Sequence, residues 1–133
     1  MRVPVNEQGR DLLVGDVHGC LTKLLDDLSA ISFDAEVDRL FLLGDMIDRG
    51  DQCMETIAFT QEPFCFPLMG NHELMLYACH HGFMSKHEYA QYGGDWYTGL
   101  PDTERQTVGS WVDTLPVCIE LQTRKGRIGL VHA

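Results

Sequence analysis

Short apolar runs alternate with helical periodicity along the first half of the chain. Asp11–Val14 runs into Gly15, residues 40–43 into Gly44, and residues 64–69 into Gly70. Apolar runs this short, closed by glycine, read as buried strands. Pro67 puts the third near a sheet edge or strand end, because proline donates no ladder hydrogen bond. Between the runs the period changes. Leu21, Leu24, Leu25 and Leu28 recur at helical spacing across residues 20–31 and are expected in the core. Residues 51–60 predict a second helix, capped near Asp51. Residues 72–81 predict a third, opened by the Gly70-Asn71 turn. Strand, loop and helix in threefold succession predict an α/β fold with parallel strands and right-handed crossovers.

The second half reads differently. Residues 82–100 hold Gly82, Gly93, Gly94 and Gly99 among Tyr89, Tyr92, Trp96 and Tyr97, which predicts an irregular helical insert or lid. Residues 101–115 predict a helix with Pro101 in its first turn. Residues 117–121 and 127–131 predict a hairpin across 123–126. No repeat or linker divides the chain, so residues 1–133 are read as a single domain.

Composition narrows the function classes. A formal charge of −10 argues against a nucleic-acid surface, which needs clustered Lys and Arg. No apolar run approaches the roughly 20 residues that span a bilayer, and the N-terminus has no apolar stretch of a signal peptide. No membrane association is expected. The five cysteines are scattered and never form a C-x-x-C pair, which favours a reducing, cytoplasmic setting over a disulfide or structural zinc framework.

The chemistry lies where the strands end. Gly15-Asp16-Val17-His18-Gly19 follows the first, Gly44-Asp45-Met46-Ile47-Asp48-Arg49-Gly50 the second, and Gly70-Asn71-His72-Glu73 the third. The carboxyl ends of strands are where α/β sheets bind ligands. Asp, His and Asn offer oxygen and nitrogen donors that suit manganese, iron or zinc. Asp16 and His18 are two residues apart, so an extended segment points both the same way. Asp45 has two oxygens and can bridge two metals, and Asn71 adds a neutral oxygen. Divalent ions roughly 3.5–4 Å apart would hold a phosphate and activate water for in-line attack. Arg49 can grip phosphate oxygens through two N–H groups. His72 could protonate the leaving oxygen, with Asp48 orienting its ring. By contrast, His80, His81 and His87 read as surface residues, and Trp96, Tyr97 and Trp111 as packing groups. Cys20 reads as packing at a helix start.

These motifs resemble the signature of the calcineurin-like metallophosphoesterases, and more narrowly their bacterial and phage serine/threonine protein phosphatases. Tyr92-Gly93-Gly94-Asp95-Trp96 resembles a segment of that branch. The resemblance implies a four-layer α/β/β/α sandwich, of which this chain would be the N-terminal part only. It implies two divalent metal ions, manganese first, with Asp16 and His18 on one, Asp45 bridging, and Asn71 and His132 on the other. It implies Arg49, Asn71 and His72 at the phosphate, with His72 as general acid paired to Asp48. The expected substrate is a phosphoprotein or phosphopeptide, attacked by metal-activated water. The sequence departs from the family at Met69, where an arginine usually precedes Gly-Asn-His-Glu. The family's last metal-binding histidine would lie beyond residue 133. A dinucleoside polyphosphate hydrolase is the alternative enzyme, and a metal-binding fragment without turnover the alternative of another class.

Overall fold

Strand β3 (Arg39–Leu42) is the spine of the molecule, with a parallel strand on each side. In the computed structural model, which describes residues 1–133, β2 (Asp11–Val14) pairs with one edge and β4 (Cys65–Pro67) with the other. Leu12 and Cys65 flank Leu40 in register, and Leu13 and Phe66 flank Phe41. Leu40, Phe41 and Leu42 are fully buried because side chains alternate across a strand and both faces of this sheet are covered.

Helices cover one face: α1 (Leu21–Ala30), α2 (Cys53–Phe59), α3 (Asn71–His80) and, later, α6 (Asp102–Val112). Leu40 and Leu42 join Leu24, Leu28, Ile57, Leu76, Val108 and Val112 in one apolar cluster. A second sheet covers the other face, in the order β1 (Arg2–Val3), β5 (Ile119–Thr123), β6 (Gly126–Leu130). Phe41 packs there with Val3, Leu68, Ile119, Leu121 and Leu130. Each such buried side chain contributes roughly 1.5–3 kcal/mol of transfer free energy. The result is helices, sheet and sheet in succession, three layers of the expected sandwich.

The structure corrects several local expectations. Strand β1 is too short to show a sequence pattern and forms by parallel pairing of Val3 with Leu121. The predicted buried strand at β2 is an edge: the second sheet covers Phe41 but not its register partner Leu13, which is 51 % exposed. Leu25 turns away from the core and is 44 % exposed. Helix α2 starts after Gln52 with no side-chain cap, so Asp51 does not cap it. Pro101 precedes the first turn of α6, at its N-cap. His80 is no surface residue; its Nδ1 lies 2.9 Å from the Tyr97 hydroxyl. Residues 82–100 contain α4 (Lys86–Tyr89) and α5 (Asp95–Thr98), joined by a kink at Gly93, where φ is 95°. No helix is long and apolar enough to cross a membrane.

Away from the strand ends, Asp38 is buried and accepts from the Arg10 guanidinium and from the Arg10 and Asp34 amides. The side-chain bond from Arg10 holds the Asp38 carboxyl well below the usual carboxylate range.

Candidate metal centre

The three motif loops meet at the carboxyl ends of β2, β3 and β4, and their backbones are bound to one another. Val17 and His18 donate their amides to the Asp45 carbonyl at 3.0 and 2.9 Å, and Gly19 donates to Met46 at 2.9 Å. Glu73 ties the second loop to the third: its carboxylate accepts from the amides of Asp45 (2.8 Å), Met46 (2.8 Å) and Gly70 (2.9 Å). Burial pushes the Glu73 carboxyl above its ordinary range, and the three amide donors oppose this. Glycine at position 70 is required by contact. A Cβ there would come within 2.4 Å of both the amide nitrogen and a carboxylate oxygen of Asp45.

The loops are also strained. His18, Asp45, Asp48 and Arg49 all have φ between 46° and 71°, a region that non-glycine residues rarely occupy. Such conformations cost of order 1–3 kcal/mol each and persist where the surroundings hold them, commonly at functional sites.

The strain aims acceptors at a common point. Asp45 sits between two imidazoles, with Oδ2 3.9 Å from Nε2 of His18 and Oδ1 3.5 Å from Nε2 of His132. Asp16 Oδ2 is 3.8 Å from the same His18 nitrogen. Both imidazoles present Nε2 as an acceptor. His18 donates Nδ1–H to the Ile47 carbonyl at 2.9 Å, and His132 donates Nδ1–H to the Leu43 carbonyl at 2.8 Å, which fixes the tautomer. The inward end of the Asn71 amide lies 2.9 Å from Nε2 of His132 and 3.1 and 3.3 Å from the Asp45 oxygens. All three neighbours are acceptors. With no cation between them the amide NH₂ would face inward; with one, the oxygen does. This donor set of carboxylates, neutral imidazoles and an amide fits a hard or borderline divalent ion. Ligand atoms of Asp16, Asp45 and His132 lie within 4.8 Å of one another, as do those of His18, Asp45 and His72, so Asp45 is common to both groups. This grouping sets Asp16 beside His132, whereas the resemblance pairs it with His18.

Next to this cluster lies a pair of a different kind. His72 Nδ1 is 2.8 Å from Oδ2 of Asp48, and both side chains are buried. The Tyr89 hydroxyl (2.7 Å) and the Trp96 indole N–H (2.6 Å) donate to Oδ1 of Asp48. Burial, with the Asp48 charge beside it, pushes the Tyr89 hydroxyl far above its ordinary range, so it remains a donor. Arg49, at the exposed rim, spans the two regions: Nη1 donates to Nε2 of His18 and Nη2 to Nε2 of His72, each at 3.1 Å. Met69 packs partly buried against the helical core, and its amide donates to Pro116. Cys20 is exposed, not packed, with Sγ 3.6 Å from the His18 carbonyl.

All eight residues read from the sequence, Asp16, His18, Asp45, Asp48, Arg49, Asn71, His72 and His132, therefore fall in one region. Sequence reading missed the parts played by Glu73, Tyr89 and Trp96. Glu73 did carry a signal, because glutamate three residues after a helix start caps the preceding backbone. Tyr89 carried none.

Comparison with known proteins agrees with this architecture. The family model of the calcineurin-like phosphoesterases matches residues 10–133. Serine/threonine-protein phosphatase 2 of Salmonella typhimurium is 32% identical over 91% of this chain and 56% of its own length. The symmetrical bis(5'-nucleosyl)-tetraphosphatase of Methylococcus capsulatus is 36% identical over 90% of this chain and 41% of its own length. The structure of a protein serine/threonine phosphatase from Saccharomyces cerevisiae superposes with a TM-score of 0.63 at 18% identity, over 84% of this chain and 35% of that one, a likeness of fold. This chain thus spans about half the length of the curated relatives it matches. Because the family model covers nearly the whole chain, the chain belongs to the calcineurin-like phosphoesterase family.

Proposed function

We propose that this chain carries the metal centre of a phosphomonoesterase acting on phosphoserine or phosphothreonine in proteins. The observation that carries this reading is the convergence of acceptor atoms from Asp16, His18, Asp45, Asn71 and His132, with a guanidinium at the rim. Two divalent ions, manganese first and iron or zinc as substitutes, are the expected occupants. Asp16 and His18 would hold one, Asn71 and His132 the other, and Asp45 has an oxygen for each. When bound, such ions polarise the phosphoryl oxygens and make water a nucleophile near neutral pH.

The remaining work falls to this chain's own side chains. Arg49 is placed to turn from the two imidazoles to the phosphate, where its paired N–H groups match two oxygens and offset their charge. Nε2 of His72 faces the site; with Arg49 turned to the phosphate and the ring protonated on both nitrogens, it is the atom placed to hand a proton to the leaving oxygen. Asp48 keeps the other nitrogen occupied and the ring in place. No side chain is placed as a covalent nucleophile, so direct attack by water is the expected route.

Similarity to the Salmonella typhimurium phosphatase over most of the chain supports a phosphoprotein substrate, as do Asp48-Arg49 and Glu73. A second reading, hydrolysis of dinucleoside polyphosphates, is favoured by the tetraphosphatase relative and by Met69 standing where an arginine would add a phosphate clamp. The test is a panel of p-nitrophenyl phosphate, a phosphoserine peptide and diadenosine tetraphosphate with added Mn²⁺, with Asp45→Asn as control. Peptide turnover that Asp45→Asn abolishes supports the first reading. Preference for the dinucleotide supports the second. Metal binding without turnover of any substrate would mark a metal-binding fragment and sink both.

A further inference from the structure

Asp48 is a carboxylate with no solvent contact and no lysine or arginine partner, since the neighbouring guanidinium of Arg49 turns toward the histidines. A buried anion is tolerated only when its lone pairs are filled. Here the filling comes from a distance in sequence. Tyr89 and Trp96, on α4 and α5, place two donors on Oδ1, which leaves Oδ2 for Nδ1–H of His72. Elsewhere in the segment, residues are small where contact demands it. A Cβ at Gly94 would sit 2.4 Å from the Tyr89 ring, and one at Gly93 would sit 2.9 Å from the Arg49 amide. The kink at Gly93 is what lets Tyr89 and Trp96, seven residues apart, reach one oxygen.

We propose that Tyr89 and Trp96 are positioning residues that lock the Asp48 carboxylate in one orientation and so keep Nδ1–H of His72 on Oδ2 with Nε2 toward the leaving group. The ring carries a proton on each nitrogen before it donates from Nε2 and is left as the Nδ1–H tautomer. Residues 82–100 then act as a brace behind the proton donor and not as a lid over the substrate. With only one donor on Oδ1, the carboxylate can rotate and exchange its oxygens, and the imidazole loses its fixed partner. The proposal rests on His72 being the proton donor, and it makes a distinction that simple packing does not. A badly held acid matters for esters with poor leaving groups and hardly at all for esters whose leaving group departs unaided.

The test compares phenyl phosphate with p-nitrophenyl phosphate for Trp96→Phe, Tyr89→Phe and the double variant, at saturating Mn²⁺, with His72→Asn as reference. The expected result is a fall in kcat of about ten- to a hundredfold on phenyl phosphate with KM little changed. The fall on p-nitrophenyl phosphate should be only about threefold at most, following the same leaving-group dependence as His72→Asn. Equal losses on both esters, or no loss, would overturn the brace. If His72→Asn itself falls equally on both, the assignment of His72 as acid is what fails.

A second readout needs no turnover. In ¹⁵N-labelled wild-type chain, the Nδ1 proton of His72 should give a resolved, exchange-protected NMR signal. That signal should survive Leu74→Ala, on the exposed face of α3, and broaden or vanish in the double variant. Trp96 is only partly buried, so Trp96→Phe alone serves if loss of the Tyr89 hydroxyl prevents folding. An unchanged signal in a folded brace variant would overturn the proposal.

Discussion

Around Asp45, acceptors outnumber donors; around Asp48, each acceptor has its donor. The first region draws on Asp16, His18, Asn71 and His132, whose acceptor atoms crowd the Asp45 carboxylate with few donors among them, chiefly the His72 amide on Asp45 Oδ1 and the Arg49 guanidinium on His18. The second draws on His72, Tyr89 and Trp96, which supply three donors to one buried carboxylate. The two regions lie within one loop of each other, on the same strand end. The difference teaches what each is for. A cluster of lone pairs is unstable alone and is completed by a cation. A closed hydrogen-bond network is stable alone and fixes geometry before any ligand arrives.

The largest effect expected from this contrast is on removal of metal. Chelation should lower hydrolysis of p-nitrophenyl phosphate by about a thousandfold or more, equivalent to several kcal/mol of lost charge stabilisation. The near-ultraviolet circular dichroism of Tyr89 and Trp96 should stay unchanged. Collapse of that signal on chelation would mean that the acid side also depends on the ion, and the contrast would be lost.

Glu73 is the joint between the loops, so replacing it should damage both regions. Glu73→Gln puts an NH₂ group against amide donors that now share one carboxylate. About 3 kcal/mol of stability should be lost, read as a lower urea midpoint with an unchanged slope. A loss below about 1 kcal/mol would show that the loops hold together without it.

Arg49 touches both regions and should distinguish binding from chemistry. Arg49→Lys keeps the charge and loses the fork, so KM for a phosphomonoester should rise about tenfold while kcat falls less. An unchanged KM would take Arg49 away from the phosphate.

The smallest effect lies outside both regions. The folded carboxyl of Asp38 titrates below its unfolded value, so its stabilising contribution is present above the unfolded pKa, about 3.9, and is lost as pH falls below that. Acid unfolding curves should show this as a steeper decline for wild type than for Asp38→Asn. Parallel curves below pH about 4 would contradict the Arg10–Asp38 pairing as its source.

How much of this could be read from the sequence depended on what fixes each residue. Asp16, His18, Asp45, Asn71 and His72 stand at fixed offsets from strand-ending glycines, so local spacing was enough to place them. Glu73 and Asp48 lay within the same motifs, but only the folded loops show which amides and rings they hold. Tyr89 and Trp96 were read as part of an insert or as packing, because their target lies 41 and 48 residues away and no period connects them. Leu13 and Leu25 failed for a related reason. Hydrophobic spacing gives the face of a strand or helix, while its coverage depends on how far the neighbouring layer extends.

Calorimetric titration of Mn²⁺ into the wild-type chain and into Asp45→Asn tests the central claim most directly. The account predicts saturable binding by the wild type that is abolished, or weakened at least about a hundredfold, when the shared carboxylate is neutralised. Equal binding by both proteins, or none by the wild type, would contradict a metal centre organised around Asp45.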